Sequence, residues 1–256
     1  IDEATNLLQQ SIQFSEWRRE DTENLLNVLA DGWILRYTPE LKLDLKVSVV
    51  LGDDLMTEKN KFSELNTKEM YSNEDFPAED KIASINAYLG AFPIAEALKS
   101  GADIVITGRS VDSAVTLGAC VYAFGWNEKE YDKLAAGSLA GHIIECGTQS
   151  TGGNFTDWEL VSKDLHQIGY PIVEVFEDGS FDCTKSKNTT GMVSFGTVAE
   201  QMLYEIGDPQ AYILPDVICD FSNVKIEETE KDKVKISGAK GYPAPNQYKV
   251  CATYAD

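Results

Sequence analysis

The chain has 256 residues, enough to bury one sizeable core or two small ones. Its 42 acidic residues outnumber 22 basic ones, for a formal net charge of −20. Such a surface repels phosphate backbones and anionic lipid, which argues against nucleic-acid and membrane roles but leaves room for a small anionic ligand at a local site.

Five cysteines, Cys120, Cys146, Cys183, Cys219 and Cys251, are odd in number and include no CxxC pair. Neither a zinc ribbon nor a disulfide framework is indicated. No apolar run reaches membrane-spanning length, and no basic-then-apolar leader opens the chain. These features point to a cytoplasmic protein. They specify no cofactor.

In chain order, residues 1–31 read as polar helix and 33–37 as a short strand. Leu45–Leu51 is a brief, β-branched apolar run of the kind buried on both faces of a sheet. Residues 57–80 are polar and irregular, a loop. Lys81–Tyr88 is a second strand. Pro93 opens a helix over 94–100 and Gly101 closes it. Asp103–Thr107 is a third strand, passing through Gly108-Arg109-Ser110 into a helix over 111–124. Strands and helices alternating with short joins predict a parallel, Rossmann-like α/β sheet flanked by helices, with strands near 46–51, 82–87 and 103–107. With its atypical helical start, this part spans residues 1–157.

Residues 158–256 have an α+β character. A hairpin over 170–184 turns at Asp178-Gly179, a helix covers 193–206, a second hairpin joins 217–228 to 233–237, and a last strand covers 247–254.

The stretch Leu134–Asp157 stands apart from the rest. Its helix uses Ala135, Ala136, Gly137, Ala140 and Gly141, residues whose small size implies close backbone packing. His142, Glu145, Cys146 and Gln149 then fall at i, i+3, i+4 and i+7, one helical face. The Gly152-Gly153 turn lets a ligand or chain approach. The same pattern also suits a tightly packed core helix whose polar groups bond the backbone.

Ligands of open parallel sheets bind beyond the carboxyl ends of the strands, and three ends here are polar: Asp53-Asp54, Asn86, and Arg109-Ser110 with Asp112. Arg109, Ser110 and the helix start suit a carboxylate or phosphate. Equally, Ser110 or Asp112 caps the helix and Arg109 pairs with an acid. Asp53, Asp54 and Asp112 have the oxygens for Mg²⁺, yet adjacent acids after a strand more often cap a loop. HxxEC is no established zinc spacing, so no metal is assigned. Neither a Walker A loop, a GxGxxG fingerprint nor a GxSxG elbow is present.

Several blocks resemble the acyclic terpene utilisation (AtuA) family: Ile85–Leu98, Gly101–Ser113, Leu134–Asp157 with its Ala-Gly-His-Ile-Ile-Glu-Cys-Gly core, Glu205–Pro209, Leu214–Asp220 and Tyr248–Asp256. The resemblance implies a place in the breakdown of acyclic terpenoids such as citronellol and geraniol, through CoA thioesters, and names no chemical step. Family members open with a Gly-rich strand and loop that residues 1–38 do not reproduce, and they continue past Tyr254-Ala255-Asp256, so a fragment or short variant is expected.

Two functions follow. One is an enzyme, or enzyme subunit, acting on a branched acyl-CoA or related carboxylic acid. In it Arg109, Ser110, Asn86, Gln149, Gly152 and Gly153 bind substrate, and His142, Glu145, Cys146 and Asp112 supply the chemistry. The other is a non-catalytic subunit whose small-residue helix meets a partner. An uncovered sheet edge beside 45–51 would make the protein a homo-oligomer or a partner subunit.

Overall fold

The structure is a computed structural model that describes residues 45–65, 67–161 and 163–255. The helix and strand expected over residues 1–37 lie outside this range. The described residues form two compact units, one made of 45–89, 93–110 and 249–255, the other of 90–92 and 111–248.

In the first unit, Val47–Val50 (β1) buries Val49 and Val50 and pairs in parallel with Ile104–Thr107 (β3), Val50 opposite Thr107. Parallel neighbours need a long crossover, and the residues between supply it. Within that crossover the polar stretch expected to be a loop contains a short helix, Lys59–Glu64 (α1). Ile82–Ala87 (β2) and Phe92–Lys99 (α2) follow, with Gly101 taking a φ of +89° just past the helix end, as a C′ glycine does.

The expected three-stranded parallel sheet is not what these residues form. Among the described residues, β2 pairs antiparallel with Val250–Tyr254 (β11), and β1 with β3 makes a two-stranded sheet. β2 meets the chain after β3 only at its end, where Leu89 and Ser110 bridge in parallel. The reason is competition for one edge. β11, more than 160 residues away in sequence, offers β2 a full ladder from Val250↔Ala87 to Tyr254↔Ile82.

In the second unit, Ala114–Phe124 (α3) and Tyr131–Glu145 (α4) pack face to face. Gly137 and Gly141 make this possible. A Cβ at Gly141 would stand 2.7 Å from the Ser113 carbonyl oxygen, and one at Gly137 2.7 Å from Leu117 Cδ1. Every residue from Leu134 to Ile143 is buried. Leu134, Leu139 and Ile143 are each worth about 1.5–3 kcal/mol of apolar burial there.

Pro171–Val175 (β4) and Phe181–Lys185 (β5) form the first hairpin, turned at Asp178-Gly179 as expected, with Gly179 at φ +88°. Phe195–Leu203 (α5) is opened by a reciprocal cap between Ser194 and Thr197. Tyr212–Ile213 (β6), Ile218–Asp220 (β7) and Lys240–Tyr242 (β10) make a three-stranded sheet ordered β10-β7-β6. Lys225–Glu230 (β8) and Lys233–Ser237 (β9) are the second hairpin, and β9 pairs with β5 to give a four-stranded antiparallel sheet, β4-β5-β9-β8. The fold is therefore mixed α/β.

Candidate functional site

The C-terminal end of α4 gathers polar groups inside the second unit. The small-residue face draws α4 against α3, and His142 on the same helix is 2% exposed. Its Nδ1 lies 2.9 Å from Glu145 Oε1, one helical turn on, while Nε2 has no hydrogen-bond partner. Gln201 of α5, 1% exposed, donates Nε2–H to the His142 carbonyl at 2.8 Å. That bond takes up one of the carbonyls a helix end leaves unsatisfied. The Tyr212 ring of β6 is tilted against the imidazole at 6.1 Å.

The charges around this cluster are negative. Burial pushes the Tyr212 phenol up to about 12, and the carboxylates of Glu145, Asp112 and Glu205 add to the shift. Burial and then Glu145 push the Cys146 thiol up as well, with Glu205 and Asp112 contributing and Gln201 opposing. Both groups stay protonated at neutral pH. Cys146 is thus a thiol and a weak nucleophile here, and Tyr212 is a hydrogen donor. His142 and Glu145 are the hydrogen-bonded side-chain pair of this cluster.

The expected helical stripe stops short of Gln149. α4 ends at Glu145, and Gly147 takes a φ of +61°, which turns the chain into a 3₁₀ turn over Gln149–Thr151. Gln149 Oε1 is buried without a hydrogen bond. Gly152 and Gly153 donate their amides within the turn, to Gln149 O at 2.9 Å and Thr148 O at 2.8 Å. α3 begins at Ala114, later than expected, and its N-cap Ser113 makes no side-chain cap.

The first unit has its own polar site, built around Asp53. Asp53 Oδ2 accepts from the Asn86 amide at 2.9 Å and the Arg109 backbone N–H at 2.7 Å. A Cβ at Gly108 would fall on the Asp53 carboxylate, so only glycine lets the loop wrap so closely. Asp54 Oδ1 caps the Met56 amide at 2.9 Å. Both acids thus serve the loop. Among the described residues, no three His, Cys, Asp or Glu side chains converge as metal ligands.

So anchored, Arg109 lays its guanidinium over the Tyr88 ring at 4.4 Å and donates to the Tyr88 hydroxyl at 3.1 Å. Lys249 Nζ stands 5.3 Å from the same ring centroid. An open cavity of about 430 Å³ lies beside them, lined by Asp53, Ser84, Asn86, Tyr88, Arg109, Cys251 and Thr253. Ser110 lies at the end of the same strand run, bridged to Leu89.

The family model for the acyclic terpene utilisation family protein AtuA matches residues 30–256. The chain belongs to that family. Comparison with curated proteins gives no match, and comparison with solved structures gives none either. The AtuA match takes in all the polar groups described above.

Of the residues singled out from the sequence of this AtuA-family chain, His142, Glu145 and Cys146 come together, and the Asp112 charge reaches Cys146 and Tyr212. Asn86 and Arg109 come together through Asp53. Sequence reading missed Tyr212 and Gln201, which long-range packing brings in. It also missed Ser84 and Tyr88, although their alternation with Asn86 along a strand was a visible signal.

Proposed function

We propose that the protein is an enzyme, or enzyme subunit, acting on a branched acyl-CoA or related carboxylic acid in terpenoid breakdown, with His142 and Glu145 of the second unit moving the proton. The observation that carries this reading is the state of His142. It is almost fully buried, its Nδ1 is matched to a carboxylate and its Nε2 is unmatched. A buried polar atom left unpaired costs about 1–3 kcal/mol, so a partner that completes it, such as a substrate atom, would recover that cost. Glu145 at Nδ1 orients the ring and stabilises the imidazolium formed when Nε2 takes a proton.

A second reading, a non-catalytic subunit, has one specific support. Residues 134–143 of α4 are buried within the chain. β4, however, is an edge strand among the described residues and exposes Ile172, with Tyr170 and Phe176 exposed beside it.

Turnover and calorimetric binding of branched acyl-CoA thioesters and the free acids, with the full chain, test the first reading. His142→Asn and Glu145→Gln should lower the rate about 10²–10⁴-fold, the usual contribution of a positioned acid–base group. No binding and no turnover by the unaltered protein, together with a dimer in sedimentation, would leave the subunit reading.

A further inference from the structure

We propose that Gln201 of α5 and Ser150 of the turn after α4 are positioning residues for the His142–Glu145 pair, holding the last turn of α4 by its carbonyls so that the two side chains stay in contact. This rests on the acid–base reading of that pair.

The pair needs such a hold. His142 and Glu145 stand three residues apart, and side chains at that spacing meet only while the backbone between them is helical. Glu145 is the last residue of α4, and by Gly147 the chain has turned away with a φ of +61°. Helix ends fray, because the carbonyls of the last turn lack helical partners. No further turn of α4 follows to keep Glu145 in place.

Two donors supply the hold from outside the helix. Gln201 Nε2 donates to the His142 carbonyl at 2.8 Å, and Ser150 Oγ donates to the next carbonyl, that of Ile143, at 2.5 Å. Gln201 is 1% exposed and Ser150 fully buried, so water does not compete for either carbonyl. A glutamine amide carries two N–H hydrogens, and the Gln201 side chain also bonds that of Cys146, just past the helix end. Each donor stands on fixed ground. Gln201 belongs to a capped helix that buries Thr197 and Val198 on the same face. Beside Ser150, Thr151 Oγ1 donates to the Gly169 carbonyl at 2.6 Å, and the Thr151 carbonyl accepts from the Met192 amide at 3.0 Å.

The residue type at 201 argues the same way. Gln201 Oε1 is buried without a hydrogen bond. Methionine would fill a similar volume and bury no unpaired oxygen, so space-filling alone favours it. What glutamine adds is the N–H donor on the His142 carbonyl. A site that keeps the costlier residue is one where that donor matters.

The test uses Gln201→Met and Ser150→Ala in the full chain, with two readouts. By NMR, the His142 Nδ1–H proton, held on Glu145, should give a resolved and slowly exchanging resonance. Both variants should speed its exchange with water about tenfold or more, the value of one lost hydrogen bond. The amides of Val234 and Ile236 in β9 should exchange as before, which separates loosening of this turn from loss of the whole fold. In turnover of a branched acyl-CoA thioester, Gln201→Met should lower kcat about tenfold or more with KM unchanged, as misplacement of a reacting group does. Added to Glu145→Gln, the same substitution should cost less than about twofold further, since the pair it positions is already broken. An unchanged Nδ1–H resonance in both variants overturns the proposal. So does a kcat loss as large on the Glu145→Gln background as alone, because that marks Gln201 as structural only. No turnover by the unaltered protein would remove the acid–base reading, while the imidazole proton would still decide whether Gln201 and Ser150 hold the pair.

Discussion

The α3–α4 pair and the β2–β11 ribbon both display polar side chains, and they do so by opposite means. Around α4 the glycines pull backbone onto backbone, and the polar groups of His142, Ser138 and Gln201 are trapped at 1–2% exposure. Along the ribbon, alternation sets Ser84, Asn86 and Tyr88 on one face that remains partly open. The first arrangement fixes a few groups at high cost if any goes unpaired. The second presents many groups at little cost each. The helical pair is therefore the place where substitutions should damage the fold, and the ribbon the place where they should alter binding.

The strongest way to break that contrast is at Gly141. With Ser113 backbone atoms at 2.7–2.8 Å from where a Cβ would stand, Gly141→Ala should cost about 1–3 kcal/mol by overpacking, and Gly141→Val should abolish cooperative folding. Thermal unfolding of both variants checks it. A Val variant with an unchanged melting temperature would mean that the helices are not held this closely.

Asp53 should give the next largest effect, since its carboxylate joins Asn86 to the Arg109 backbone. Asp53→Ala should destabilise by about 1–3 kcal/mol through the amides it leaves unpaired. It should also loosen Arg109. Urea unfolding and the NMR signal of the Arg109 amide report the two separately.

The smallest effect concerns pH. Asp216 accepts from the amides of Ala91 (2.8 Å) and Phe92, and a Cβ at Gly90 would collide with its carboxylate. Burial, with a contribution from Glu128, raises its pKa from 3.8 to about 6. A folded-state value above the unfolded one means that the protonated form favours the fold. This contribution is complete below about 3.8 and is lost as the pH rises through about 6. Asp216→Asn, which keeps the acceptor oxygen, should therefore gain on the unaltered protein as the pH rises from 4 to 7. The gain should be on the order of 1 kcal/mol after allowance for partial exposure. Parallel stability curves for the two proteins that do not diverge over that range would count against it.

Local chemistry made much of this fold legible. Asp178-Gly179 marks its hairpin and Gly101 its helix end, and the glycines and alanines of α4 mark close packing. β1 and β3 pair in parallel, as the alternation of strands and helices implies. The partner of β2 was not legible, because an apolar strand carries no mark of which distant strand will pair with it. The same holds for the site. His142 and Glu145 are a helical turn apart, so spacing alone joins them. Tyr212 and Gln201 come from elements 59 or more residues further on, and only packing brings them to the imidazole. Gly147 shows the converse, a local signal strong enough to end α4 before Gln149 can join the stripe.

The grip of Asp53 on residue 109 is a grip on its main chain. The amide that donates to Asp53 would be present with any side chain at that position except proline's. Selection can therefore explore position 109 widely without first unfolding the loop beneath it. A saturation library at 109 should keep the loop folded in every variant but proline, with melting temperatures falling only by what the guanidinium's contacts with Tyr88 contribute.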